Sequence, residues 1–295
     1  MTQFAKLVDE KFTAAKEKKA LFSIDAIQAE KESGGIKFEI TCAPALAKKP
    51  TNEDKSQEKV NPFLNPNPDL VVKELDEHLI LLNKFAVIPN HLLLVTKEQK
   101  SQEELLFPND FQAHKHVQLV PLNGKNGVQP PIKKLYDQIH DRRVGQIYAM
   151  DKLPFVHVIM QLDTNIIRAA TKREDLTDYL SQMFFGLLDA MFQQLRENAQ
   201  PMNASYNFLM TEEFMMLIPR EKEKVAISHD NKDYEFSLNS LAFAGMLLCK
   251  SEEQLEAMKA QDDLMDILVQ VAIKWNPDAQ RLDTERQLGL EAHLA

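Results

Sequence analysis

Glycine is scarce in this chain. Eight residues in 295 is under half the ~7 % of an average protein. A P-loop or a dinucleotide-binding fingerprint needs several glycines close together. The nearest approaches, Gly34-Gly35 and Gly124 with Gly127, have neither spacing, so both kinds of phosphate cradle are excluded. Cysteine is nearly absent as well. Cys42 and Cys249 form no CxxC pair, which excludes a disulfide framework and a Cys-based zinc site and fits a reducing compartment. Positive charge is in deficit: a formal net charge of -9 gives no general affinity for nucleic acid or anionic membranes. A phosphate-bearing substrate must therefore meet a local cluster of Lys and Arg. There is no long apolar run either. The N-terminus, MTQFAKLVDEKFTAAKEKKALF, is charged and helically periodic, neither a secretory signal nor a membrane span. The expectation is a soluble cytoplasmic protein, with the nucleus as a second compartment.

What is present is an ordinary globular composition, 44% hydrophobic and 27% charged, enough to bury a sizeable core in a single domain over 1–295. Residues 3–33 read as helix stopped by Gly34-Gly35, and IKFEIT (36–41) alternates like a strand. Residues 43–69 hold five prolines and read as a long exposed loop. LVVKEL follows, then HLILLNKFAV and HLLLVTKE, a hairpin turning at Pro89-Asn90. SQEELL opens a helix with Ser101 as N-cap and Glu104 three residues on. FQAHKHVQLVPL is a strand, 123–131 a loop, PPIKKLYDQIHD a short helix and LPFVHVIMQLD (153–163) a strand.

The strongest helix pattern is EDLTDYLSQMFFGLLDAMFQQLREN, where Leu176, Leu180, Phe184, Leu187, Leu188, Met191 and Leu195 recur at three- and four-residue spacing. SYNFLMT and FMMLIPRE form a second hairpin. FSLNSLAFAGMLLCK leads into a helix capped by Ser251, and a C-terminal helix contains Trp275, the one tryptophan. There is no internal repeat and no βαβ alternation. The fold class is α+β around a mostly antiparallel sheet with flanking helices.

Within FQAHKHVQLV, an extended backbone puts His114, His116 and Gln118 on one face and Lys115, Val117 and Leu119 on the other. Four readings stand. The histidines are polar residues satisfied by backbone partners. They share a metal ion, with His91, His140 or His157 as the third ligand. They belong to a Ser-His-Asp set, for which no Ser elbow is present. Or one imidazole attacks phosphorus: a neutral imidazole nitrogen is a good nucleophile near neutral pH and forms a labile phosphoramidate, while Gln118 donates to a non-bridging oxygen.

The run His114-Lys115-His116-Val117-Gln118-Leu119-Val120 resembles the His-x-His-x-Gln signature of the histidine-triad superfamily. GIKFEI with LAKKP, NPFLNPNPDL, LILLNKFAVIPNHLLLVTKEQKSQEELL, LPFVHVIMQLD, SYNFLMTEEFMMLIPRE and SLNSLAFAGMLLCKSEEQLEAMKA follow in family order. Together they resemble the fungal diadenosine tetraphosphate phosphorylases (ATP adenylyltransferases), in the branch related to galactose-1-phosphate uridylyltransferase. The resemblance implies a histidine-triad-like fold. It also implies a reaction: a histidine takes AMP from diadenosine tetraphosphate, releasing ATP, and phosphate then removes the AMP as ADP.

By motif, His116 is the nucleophile and Gln118 contacts the phosphate. Lys49, Asn83, Lys84, the run Gln112, Ala113, His114 and Lys115, and Asn239, Ser240, Leu241, Met246 and Lys250 contact substrate. An isolated lysine is otherwise usually solvated surface, and Met246 in LAFAGMLL could equally be core. His157 recurs in the family and is read as structural, and Phe214 stands where the family has Trp. No tightly bound cofactor or metal site is implied, although Mg2+ would accompany the polyphosphate. The partners implied are dinucleoside polyphosphate, ATP, ADP and phosphate, with no nucleic acid and no membrane; the oligomeric state, monomer or other, stays open.

One departure stands out. Between KSQEELL and the histidine motif the family carries a few dozen further residues: a helix, a strand and a Gly/Ser-rich turn. Here Pro108-Asn109-Asp110-Phe111 joins directly to Gln112, in keeping with the glycine deficit. The expectation is an internally shortened member lacking one helix and one strand, with impaired turnover. A catalytically silent nucleotide-binding product is the competing reading, with a dinucleoside polyphosphate hydrolase or a uridylyltransferase behind it.

Overall fold

The computed structural model describes residues 3–23, 26–44, 63, 65–97, 116–121, 129–201 and 205–276. The expected helix start at Ser101, the run 111–115 and most of the 43–69 loop lie outside them. Where the sequence reads as one domain over 1–295, the chain groups into two compact units, 1–27 with 43–128 and 28–42 with 129–295. Its pairing is mostly antiparallel, as the patterning predicts, with helices alongside.

The first unit is built on helix α1 (Gln3–Glu17) and a sheet of β4 (Val71–Glu74), β5 (His78–Leu82), β7 (Leu92–Thr96) and β8 (His116–Leu119), in the order β4-β5-β7-β8. The helix buries Val8 and Ala15, with Leu7 and Phe12 beside them, against Leu70, Val72, Leu82 and Leu92. In strands of period two, the same pleat sends Leu93 and Val95 to the other face. The two strands of the expected hairpin pair, His78 with Thr96 through to Leu82 with Leu92, but the first ends at Leu82 and residues 83–91 connect them, so Pro89-Asn90 is one bend in a longer link and not the whole turn. Asn90 turns at a φ of +61°, a left-handed conformation that Asn tolerates. Between the two strands, β6 (Phe85–Ala86) pairs in parallel with β1 (Phe22–Ser23).

The second unit corrects the expectation of helix over 3–33. After Glu17 helix gives way, and β2 (Ile27–Ser33) and β3 (Ile36–Cys42) are neighbouring strands of one sheet. Gly34 and Gly35 are their two-residue turn, both at positive φ, which suits a hairpin because its backbone twist matches that of the strands. Beside β3 runs β15 (Met246–Cys249), in parallel. A second sheet has the order β11-β12-β10-β9, from β11 (Ser205–Met210), β12 (Phe214–Arg220), β10 (Val158–Gln161) and β9 (Ile147–Tyr148). Helix α4 (Arg173–Glu197) packs on β10 and β12 and buries Phe184, Leu187, Leu188, Met191 and Leu195, five of the seven residues of its periodic stripe. Before it come α2 (Lys133–Tyr136) and α3 (Thr164–Ala169), the latter capped by Asp163.

A hairpin the patterning missed joins β13 (Lys224–His229) to β14 (Lys232–Ser237) through Asp230 and Asn231, again both at positive φ. The short α5 (Ser240–Phe243), α6 (Glu252–Lys259) and α7 (Met265–Val269) follow. Ser251 caps α6 as expected, accepting from the Gln254 N–H at 3.2 Å. Trp275, by contrast, lies beyond the last helix, where its Nε1–H donates to the Leu153 carbonyl at 3.1 Å. The indole needs an acceptor when buried, and the Leu153 carbonyl supplies it.

Candidate active site

In the first unit, β8 is the last strand of the described sheet, and its register is Val95 with His116, Leu94 with Val117, Leu93 with Gln118 and Leu92 with Leu119. Positions 116 and 118 therefore fall on one side of the pleat, opposite Val95 and Leu93. Gln118 is exposed there. The alternation expected for this motif holds over 116–119. Gln112, Ala113, His114 and Lys115, like Lys49, lie outside the described residues.

Asn83 and Lys84 follow β5 directly. The Asn83 N–H donates to the His91 carbonyl at 2.8 Å, which extends the β5–β7 pairing by one residue. Its side chain is engaged at both ends: Oδ1 accepts from the Phe85 N–H at 3.0 Å, and Nδ2 lies 3.4 Å from His91 Nδ1. Asn83 is thus tied into the strand-end framework. Lys84 is exposed, its Nζ 5.9 Å from the ring centroids of both Phe22 and Phe85. Those rings stack at 5.7 Å, a geometry that favours a cation alongside.

His91 is the residue sequence reasoning undervalued. It is 6% exposed, and burial holds its imidazole below the ordinary histidine range, opposed by the Gln118 side chain beside it. The signal was available: in NHLLLVTKE the histidine shares the parity of Leu93 and Val95, the side of the strand that also carries positions 116 and 118.

In the second unit, Asn239, Ser240, Leu241, Met246 and Lys250 occupy one continuous segment. Asn239 caps α5, its Oδ1 accepting from the Leu241 N–H at 3.0 Å. Ser240 donates its hydroxyl to Asn207 Oδ1 at 3.4 Å. Asn207 is 5% exposed, and its Nδ2 has no partner among the described residues; nothing in SYNFLM singles it out beyond its polar place in an apolar strand. Gly245, at a φ of +95°, turns the chain into β15. Leu247 and Cys249 then face the core, while Met246 is half-buried and Leu248 and Lys250 are exposed. Met246 is therefore on the outward side of the strand and not in the core. The Lys250 N–H donates to Gln254 Oε1 at 2.7 Å.

His157 behaves as a structural residue. It is fully buried, Nε2 accepts from the Met150 N–H at 2.7 Å and Nδ1 lies 2.8 Å from the Phe155 carbonyl, so both nitrogens are committed and neither can ligate a metal. Phe214 is fully buried against Tyr136, ring centroids 4.7 Å apart.

Comparison with known proteins matches residues 1–113 to the Ap4A phosphorylase N-terminal domain and 151–274 to the ATP adenylyltransferase C-terminal domain. The chain is 27% identical to diadenosine 5',5'''-P1,P4-tetraphosphate phosphorylase 2 of Saccharomyces cerevisiae, over 88% of this chain and 91% of that protein. It is 24% identical to protein APA1 of the same yeast, over 90% and 93%. Its fold matches the crystal structure of yeast Ap4A phosphorylase Apa2 with a TM-score of 0.72 at 23% identity, covering 93% of this chain and 98% of that one. The crystal structure of Apa2 in complex with Ap4A matches at 0.70 and 25%, with the same coverage. The chain belongs to the Ap4A phosphorylase (ATP adenylyltransferase) family.

Proposed function

We propose that this chain is a nucleotidyltransferase that phosphorolyses diadenosine tetraphosphate to ATP and ADP through an adenylylated His116. The observation that supports the reading is the register of the described part of the His-x-His-x-Gln motif: positions 116 and 118 share one side of β8, the last strand of the described sheet, whose register with β7 is continuous over four residue pairs. An imidazole nitrogen of His116 attacks the phosphorus of an AMP unit. The N–P bond forms, the P–O bond to the ATP leaving group breaks, and the nucleophile stays bonded as a phosphoramidate. A phosphate oxygen then attacks that phosphorus, the P–N bond breaks, and ADP leaves. Gln118 donates to a non-bridging oxygen, where charge accumulates in both steps. Lys84 and Lys250, both exposed, with Lys49 and Lys115, supply the positive charge that a net charge of -9 lacks overall. Mg2+ enters with the polyphosphate as part of the substrate, and no tightly bound cofactor takes part. The protein works in the cytoplasm; among its described residues no helix is long and apolar enough to cross a membrane.

Incubation with diadenosine tetraphosphate labelled in AMP tests the reading. Acid-labile label on the wild-type chain, lost in His116→Ala, is the expected result, and ATP released without any label on protein would overturn it.

A second reading has its own support. The alignment to the yeast phosphorylase runs over 317 residues, more than the 295 of this chain, so it includes positions that this chain lacks. Residues 114–150 fall between the two matched domains. A shortened member missing backbone donors ahead of His116 would turn over slowly, or bind nucleotide without reacting. A rate equal to that of an intact relative refutes this shortfall.

A further inference from the structure

We infer that His91 is a positioning residue: as the neutral Nε2–H tautomer it holds the side-chain oxygen of Gln118 and so turns the Gln118 amide NH2 outward as a donor. The inference follows from the order of donors and acceptors along three side chains. The Phe85 N–H can only donate, so the Asn83 atom 3.0 Å away is the oxygen. The other end of that amide, an NH2 group that can only donate, lies 3.4 Å from His91 Nδ1. Nδ1 must then accept, which leaves the ring's single proton on Nε2. The near-complete burial of His91 agrees, since burial disfavours the charged ring that would carry both protons.

Register says where that proton points. Leu93 pairs with Gln118, and His91 stands two residues before Leu93, on the same side of the pleat and diagonal to Gln118. Nε2 makes no hydrogen bond to any described residue, and the diagonal neighbour Gln118 carries the side-chain oxygen that we assign to it as acceptor. The opposite flip of the Gln118 amide would set NH2 against Nε2–H and turn its oxygen outward. The chain from Phe85 through Asn83 and His91 therefore selects one orientation of Gln118 before any ligand arrives.

If Gln118 serves a phosphoryl oxygen, as the proposed reaction requires, this orientation is what makes it a donor rather than a repelling oxygen. Fixing a donor in advance removes reorganisation at the moment charge develops. Asn83, placed among the substrate contacts by its motif, acts in this account through the imidazole it holds.

Two measurements on the full chain test the inference, and the first needs no turnover. Histidine-selective 15N spectra should show His91 with a bare Nδ1 and a protonated Nε2; a proton on Nδ1 overturns the inference. The second is phosphorolysis of diadenosine tetraphosphate by wild type, His91→Leu, His91→Gln, Gln118→Ala and the double variant His91→Leu/Gln118→Ala. His91→Leu should lower kcat roughly tenfold with KM little changed, less than the ~10²-fold typical for removing a transition-state donor itself. His91→Gln, which can accept from Asn83 and donate to Gln118, should recover most of that loss. In the Gln118→Ala background His91→Leu should cost nothing further. Additive losses that track falling thermal midpoints would mean a packing role and overturn the inference. A wild-type chain that leaves diadenosine tetraphosphate intact refutes the proposed reaction alone, and the ring spectrum still decides the tautomer.

Discussion

His91 links protonation to stability with a definite sign. Burial lowers its folded pKa below the 6.5 of a free histidine. Above 6.5 the ring is neutral in both states and its contribution is complete. As pH falls below that value the unfolded chain takes up a proton first, and stability is lost until the folded ring protonates as well. Denaturant melts over this window should show the wild type losing more stability than His91→Gln as the solution is acidified; parallel curves would refute the assignment. His157, read from the sequence as structural, is so in the fold, where its two nitrogens are spent on a backbone N–H and a carbonyl.

At the scale of elements, Gly245 is the joint on which the second unit's expected contact residues depend. Its carbonyl accepts from the Glu39 N–H at 2.9 Å, which starts the parallel pairing of β15 with β3 and sets which side chains of Met246–Cys249 face outward. The backbone there is left-handed, and a Cβ would stand 2.5 Å from Pro131 Cβ. Gly245→Ala is therefore expected to destabilise by roughly 1–3 kcal/mol from backbone strain alone, with the clash added. Chemical denaturation measures the loss, and a neutral result would show that the joint relaxes freely. The hairpin of β13 and β14 marks a limit of pattern reading. Its Asp230-Asn231 turn lacks the glycine of the strongest hairpin signals, and charged residues dilute the alternation of the strands on either side.

For the molecule as a whole, the two cysteines make a compact test. They come from opposite ends of the sequence and stand as direct register partners, Cys42 with Cys249, both fully buried. Burial pushes the Cys249 thiol up to about 12 and raises Cys42 as well, so neither supplies thiolate at neutral pH. A maleimide should label neither in the native protein and both after unfolding. Labelling of the folded chain would contradict the parallel pairing of β3 and β15.

The family, the α+β class, the long helix, two hairpins and the His-x-His-x-Gln motif are all legible in the sequence. Each is a local pattern, in period, turn chemistry or residue spacing, and survives without knowledge of distant neighbours. The tertiary structure alone decided that Gly34-Gly35 turns a hairpin instead of ending a helix. It also decided that Trp275 lies in extended chain and that Asn83, His91 and Gln118 line one side of a sheet. Those outcomes depend on which strands pair and in what register, and the energy that sets register comes from residues remote in the chain.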